Sequence, residues 1–295
     1  MTWLQLRLDA DPATASTLED ALLEVGAAAV TMEDNADQPV YEPGVGETPV
    51  WQHTRVTGLF TADTDMTSTL AELQGHYGQK LPPLRIEILE DRDWIREWMD
   101  SYHPIQCGER LWICPSWREP VDPKAVNLLL DPGLAFGTGT HPTTWLCMQW
   151  LDQQNLNGLT VIDYGCGSGI LGIAALLLGA EKVIAVDNDP QALLATRDNA
   201  RRNNIDDARI ECLLPEQLPS ELRGEVMVAN ILAGPLTSLA ANLAATLSAG
   251  GPICLSGILH SQAKELMNCY SQWFDELNLT TKEEWVRISG SRNNS

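Results

Sequence analysis

With 295 residues the chain is long enough for about two domains at roughly 150 residues each, and a composition of 44% hydrophobic and 20% charged residues excludes a disordered or collagen-like polymer. Forty acidic side chains against 19 lysines and arginines give a formal charge of −21, with no basic patch concentrated along the chain, which argues against a surface built to hold nucleic acid phosphates. The first 100 residues are the more acidic part, which reads either as a solvated surface or as a docking face for a basic protein.

Residues 2–9 alternate as a strand does, Asp11-Pro12 caps a helix carrying Leu18, Leu22, Leu23 and Val25, and Gly26 stops it. Strand-like segments follow at 28–33 and 56–62, a second helix at about 66–77, and LRIEIL (84–89) alternates again. The order β-α-β-β-α-β is that of a ferredoxin-like sandwich. Between its second and third strands, QPVYEPGVGETPVW (38–51) marks a long irregular connection. Asp93 is positioned to cap the helix WIREWMDSY, and the linker is placed over 92–103.

From about 126 the pattern changes. Apolar strands at 126–130, 160–164, 183–187, 209–214, 225–230 and 252–257 alternate with helical stretches at 142–154, 169–178, 190–203, 233–247 and 261–273, and EEWVRISG (283–290) supplies a final strand. Such alternation makes an α/β fold with a doubly wound, mostly parallel, Rossmann-like sheet, here joined to the smaller ferredoxin-like α+β domain. Seven cysteines without C-x-x-C spacing or clustered histidines indicate neither a disulfide framework nor a metal site. The opening MTWLQLRLDAD lacks a basic stretch followed by an apolar one, and the longest apolar run, Ile170 to Ala180, is too short to span a bilayer; the expectation is a cytoplasmic protein with no membrane contact.

The densest chemical signal is VIDYGCGSG (161–169), a strand running into a glycine-rich turn that opens a helix. Glycines there let a ligand lie against the backbone at the carboxyl end of a strand, where doubly wound sheets bind ligands. Asp163 precedes the first glycine, Gly165, and Asp187 ends the next strand with a carboxylate suited to a ribose diol. As a helix cap Asp187 is the poorer candidate, because Asp189 stands immediately before Pro190. Gly167, Gly169 and Gly172 also satisfy G-x-G-x-x-G with Asp187 at about the expected distance, so a nicotinamide oxidoreductase competes for the same residues.

Farther along, VANILAGPL (228–236) places Asn230 at a strand end, either aligning an amine or capping the next helix. DPGLAFGTGTHPTT (131–144) lacks the lysine of a phosphate loop and suits a cover over a ligand, with Phe136 available for apolar contact; His141 before proline reads as a capping residue more than as a base.

The acidic-Gly-x-Gly turn resembles the first motif of the class I S-adenosylmethionine methyltransferases, and VDNDPQALLATRDNARRN (186–203) resembles their second. Together with DPGLAFGTGTHPTT, VANILAGPL, GPICLSGIL and, upstream, DWIREWMDSYHPIQCGERLWICPSW, the chain resembles the ribosomal-protein methyltransferases of the PrmA family over about residues 92–290. The resemblance implies a substrate-recognition domain (1–91), a linker helix (92–103) and a catalytic domain (104–295). It implies methylation of lysine side chains and the terminal α-amine of the eleventh protein of the large ribosomal subunit, a basic client. It puts Thr144, Gly165, Asp187 and Asn230 on S-adenosylmethionine, Asp163 under the turn, and Asn230 in the catalytic role, with no metal. An RNA methyltransferase of the same fold is an alternative, but should carry a basic groove; a non-catalytic ribosome-binding module should not need the glycine turn.

Overall fold

The computed structural model describes residues 2–38, 40, 49–90, 99, 102–131 and 139–294. The connection expected over 38–51 and the linker helix expected over 92–103 fall largely outside these residues, as does the stretch 132–138 with Phe136. The chain divides into two compact units, Met1–Met99 and Asp100–Ser295. Among the described residues no helix is long and apolar enough to cross a membrane.

The first unit follows the expected order: β1 Trp3–Ala10, α1 Ala15–Glu24, β2 Ala29–Asp34, β3 Thr54–Thr61, α2 Met66–Tyr77 and β4 Leu84–Leu89. Its sheet runs β2-β3-β1-β4, antiparallel throughout, the ferredoxin-like arrangement. Alternation sends Leu6, Leu8, Val56 and Phe60 to one face, where they bury with Leu18, Leu22 and Leu73 of the helices. The opposite face carries Gln5, Arg7, Asp9, Arg55, Thr57, Arg85 and Glu87. One detail differs from expectation. The Asp11 carboxylate accepts from the Thr14 N–H and Oγ1 and from the Ala13 N–H, closing a turn, and the helix opens only at Ala15 with Thr14 in the cap position.

In the second unit β5 Ile105–Gln106, β6 Leu111–Cys114 and β7 Val126–Leu129 form a small sheet of their own. This corrects the expectation that 126–130 belongs to the large sheet. β7 instead pairs parallel with β6, Leu111 opposite Val126, because LWIC offers it an apolar strand. A short apolar run does not encode which neighbour it will pair with.

The large sheet comprises β8 Thr160–Tyr164, β9 Lys182–Val186, β10 Ile210–Leu213, β11 Val226–Asn230, β12 Pro252–Leu259, β13 Phe274–Lys282 and β14 Trp285–Arg292, in the order β10-β9-β8-β11-β12-β14-β13. Helices α3 Pro142–Gln153, α4 Ile170–Leu177, α5 Pro190–Arg202, α6 Ala233–Thr246 and α7 Ala263–Tyr270 alternate with its strands. The helical stretch expected over 261–273 is shorter than predicted, and the polar strand β13 behind it was not predicted at all. β8 to β12 are mutually parallel, and only β14 runs antiparallel to its neighbours β12 and β13. Successive side chains feed two cores: Val161, Val183 and Val228 on one face, Ile162, Ile184 and Met227 on the other. The direction of winding reverses between β8 and β11, and there the carboxyl ends of a doubly wound sheet leave a crevice.

Candidate active site at the sheet switch point

Register brings three strand ends level. Tyr164 pairs with Val186 on one side and Ala229 on the other, so the next residues, Gly165, Asp187 and Asn230, stand in one row at the carboxyl edge of β8, β9 and β11. The chain after Tyr164 bends at once: Gly165, Gly167 and Gly169 have φ of +76°, +55° and +77°. These are left-handed values that side-chain-bearing residues rarely adopt. At Gly165 a Cβ would also lie 2.2 Å from Ile231 Cγ2. The turn is tied from α5, where Thr196 Oγ1 donates to the Gly167 carbonyl (3.1 Å) and Asn199 Nδ2 donates to that of Ser168 (2.9 Å). Neither residue was singled out from the sequence, although their spacing of three on one helix face was the available signal.

Asp187 is half-buried, and each of its oxygens holds one backbone N–H: Oδ2 accepts from Gly167 at 2.9 Å, Oδ1 from Asp189 at 3.0 Å. A carboxylate has about four acceptor positions, so capacity remains on both oxygens. The helix cap is Asp189, which accepts from Gln191 N–H at 2.8 Å ahead of Pro190.

Asp163 lies beneath the turn, only 1% exposed. Its Oδ2 accepts from the Gly172 N–H at 2.8 Å, while Oδ1 has no partner among the described residues. Burial pushes this carboxyl up to about 7; the Gly172 bond opposes the rise and the negative charge of Asp187 adds to it. Gly172 permits the contact, since a Cβ there would lie 2.8 Å from Val183 Cγ1.

Across the switch point, Asn230 Nδ2 donates to Oγ1 of the fully buried Thr144 at 3.4 Å, and Asn230 Oδ1 is buried with no partner among the described residues. α6 opens with Leu232 in its cap position, so Asn230 does not cap it. His141 caps α3, its Nδ1 lying 2.8 Å from Thr143 Oγ1, and it meets the Trp285 ring edge-on with centroids 4.8 Å apart. Burial lowers its pKa, a shift that the Glu283 charge opposes. The structure therefore brings Gly165, Asp187, Asn230 and Thr144 to one edge, with Asp163 behind them.

A family model described as "Ribosomal protein L11 methyltransferase (PrmA)" matches residues 2–293. The protein named ribosomal protein L11 methyltransferase in Cellvibrio japonicus is 57% identical over 289 residues, 98% of each chain, and that of Marinobacter nauticus is 56% identical over 296 residues, 99% of each. The crystal structure of a ribosomal protein L11 methylase from Lactobacillus delbrueckii subsp. bulgaricus aligns with a TM-score of 0.58 at 34% identity, covering 65% of this chain and all of that one. The switch-point crevice and these likenesses converge: the chain belongs to the ribosomal protein L11 methyltransferase (PrmA) family.

Proposed function

We propose that the chain transfers methyl groups from S-adenosylmethionine to lysine side-chain and amino-terminal amines of ribosomal protein L11, a basic client, in the cytoplasm. The observation that carries this reading is the row formed by Gly165, Asp187 and Asn230, with one buried amide oxygen left unmatched. The edge fits the cofactor on its own terms. The turn at 165–169 is free of side chains where a ligand must approach, Asp187 retains acceptor positions for a ribose diol, and Asn230 Oδ1 awaits a donor.

When bound, S-adenosylmethionine supplies a methyl carbon activated by its sulfonium. The chain's own task is to present an uncharged amine in line with it. Thr144 fixes the Asn230 amide through Nδ2, which leaves Oδ1 to accept an N–H of the incoming amine and orient its lone pair. A neutral amide in a buried setting does not favour the ammonium form as a carboxylate would, so the ~10.4 reference pKa of lysine is drawn downward. Such positioning contributes on the order of 7–11 kcal/mol, against about 3–5 kcal/mol from a general base, so none is required.

The first unit serves as the recognition module, its acidity complementing a basic client, and nucleic acid and membrane are not partners. Mass spectrometry of the purified ribosomal protein after incubation with the chain and the donor tests the reading: methylated lysines and a methylated terminus are the expected result, and an unmodified protein the one that overturns it.

A further inference from the structure

The open face of the first unit's sheet gathers all three arginines found among residues 1–90, although those residues are otherwise strongly acidic. Arg7 on β1 and Arg85 on β4 stand directly opposite each other in the strand register, and Asp9 on β1 stands opposite Arg55 on β3. Like charges in direct opposition destabilise a sheet unless something lies between them. Arg7 is paired on two sides only: Nη1 with Glu87 at 2.9 Å and Nη2 donating to Gln5 Oε1 at 2.9 Å. Its Nε is buried with no acceptor among the described residues, and Oγ1 of Thr57, its register partner on β3, is likewise buried and unmatched. Arg55 is engaged by Glu33 and Asn35, whereas Arg85 is exposed and makes no hydrogen bond or ion pair among the described residues.

A cavity of about 320 Å³ lies over this group, lined by Arg7, Arg55 and Arg85 together with Asp9, Glu87 and Asn35. Glu87 pairs with Arg7 and Glu33 with Arg55, so Arg85 is the one guanidinium of the three without an ion pair among the described residues, a single positive charge that matches one carboxylate and not a phosphate dianion. A planar carboxylate also suits the fork geometry of arginine.

We infer that this face binds the carboxylate of an acidic side chain on the protein client, held between Arg7 and Arg85; the inference rests on the protein-methylating reading above. The remaining acidic surface draws a basic protein in from any direction, but a cationic point within it accepts only an orientation that brings a carboxylate there. Complementary charges of this kind fix register more than they add affinity.

The test reverses the sign expected from acidity alone. In the full chain, Arg85→Gln removes an exposed charge that opposes Arg7, so folding is preserved. KM for the ribosomal protein should rise about threefold to fivefold with kcat and cofactor affinity unchanged. If the unit attracts its client only through negative charge, losing an arginine lowers KM; a fall, or no change, overturns the inference. Lys80→Gln makes the same change in charge at another exposed position of this unit, and an equal rise in KM there overturns it as well.

A wild-type chain that leaves the ribosomal protein unmethylated refutes the functional reading, and the site is then judged alone. Arginine Nε–H resonances of the full chain are followed by NMR while N-acetyl-aspartate N-methylamide is added. A saturable shift at Arg7, lost in Arg85→Gln and absent with chloride at equal ionic strength, supports the site. No shift, or a larger one with inorganic phosphate, refutes it.

Discussion

The two sheets of this molecule expose polar groups in opposite ways. The large sheet is covered on both faces, so strands such as TVIDY and KVIAV are buried at all but their first residue, and the candidate site lies at the carboxyl edge where the strands end. Among the described residues the small antiparallel sheet packs helices against one side, and along LRIEIL Arg85 and Glu87 alternate toward the other. An edge is set by backbone: Gly165, Gly167 and Gly169 all hold the left-handed φ that side-chain-bearing residues rarely adopt. A face is set by side chains that can change one at a time. On the proposed reading, the same chain keeps bond-making where geometry is least forgiving and recognition where it is most adjustable.

The largest expected effect separates the two sheets outright. Deletion of residues 1–90 should leave S-adenosylmethionine binding by calorimetry intact, since the second unit has its own two cores, and should abolish transfer to the ribosomal protein. Full activity of the shortened chain breaks the comparison. Within the edge, Asn230→Ala removes the acceptor proposed to orient the amine, and kcat should fall about 100-fold, with a smaller loss of cofactor affinity. An unchanged kcat removes Asn230 from the chemistry. Asp187→Ala should act on the other partner, weakening S-adenosylmethionine about tenfold through the lost ribose bonds. Because Asp187 also accepts from the Gly167 and Asp189 N–H groups, Asp187→Asn, which retains acceptor oxygen, should recover part of that loss if turn geometry contributes. Equal affinity in wild type and Asp187→Ala disposes of the ribose assignment.

Much of this edge was legible in the sequence because its constraints are local. A carboxylate before three alternating glycines and a second carboxylate before Asn188-Asp189-Pro190 are written in consecutive residues, and helix α2 and strand β4 fall where periodicity puts them. What stayed hidden depends on pairing across distance. β7 looked like a strand of the large sheet because nothing in VNLL names LWIC as its neighbour. β13, FDELNLTTK, escaped because an edge strand facing solvent lacks the apolar alternation that betrays buried ones, and its register with β14 is broken between Asp275 and Asn278. The Thr144–Asn230 contact spans 86 positions of chain and joins a helix to a strand end, which no spacing rule connects. The unmatched oxygens of Asp163 and Asn230 are properties of packing, invisible before the fold exists.

Asp163 supplies an effect confined to stability, and shows how the edge draws on the core behind it. In the native state its carboxyl holds a proton up to about 7, mainly because of burial, whereas the ordinary value is 3.8. Between these values the native state binds more protons than the unfolded chain, so stability must fall as pH rises across that window. The group's contribution is complete below the unfolded value and is gone above the native one, a loss of at most about 4 kcal/mol at ~1.36 kcal/mol per pKa unit. Asp163→Asn keeps an oxygen to accept the Gly172 N–H but cannot ionise. Urea unfolding should therefore show wild type losing stability from about pH 4 to about pH 7 while the variant stays flatter and becomes the more stable of the two at the upper end. Identical slopes in both would mean that the charge on Asp163 is relieved within the fold. In the Asp187→Ala background the wild-type slope should shrink, because one source of the raised pKa has gone, but only partly, since burial remains the larger cause.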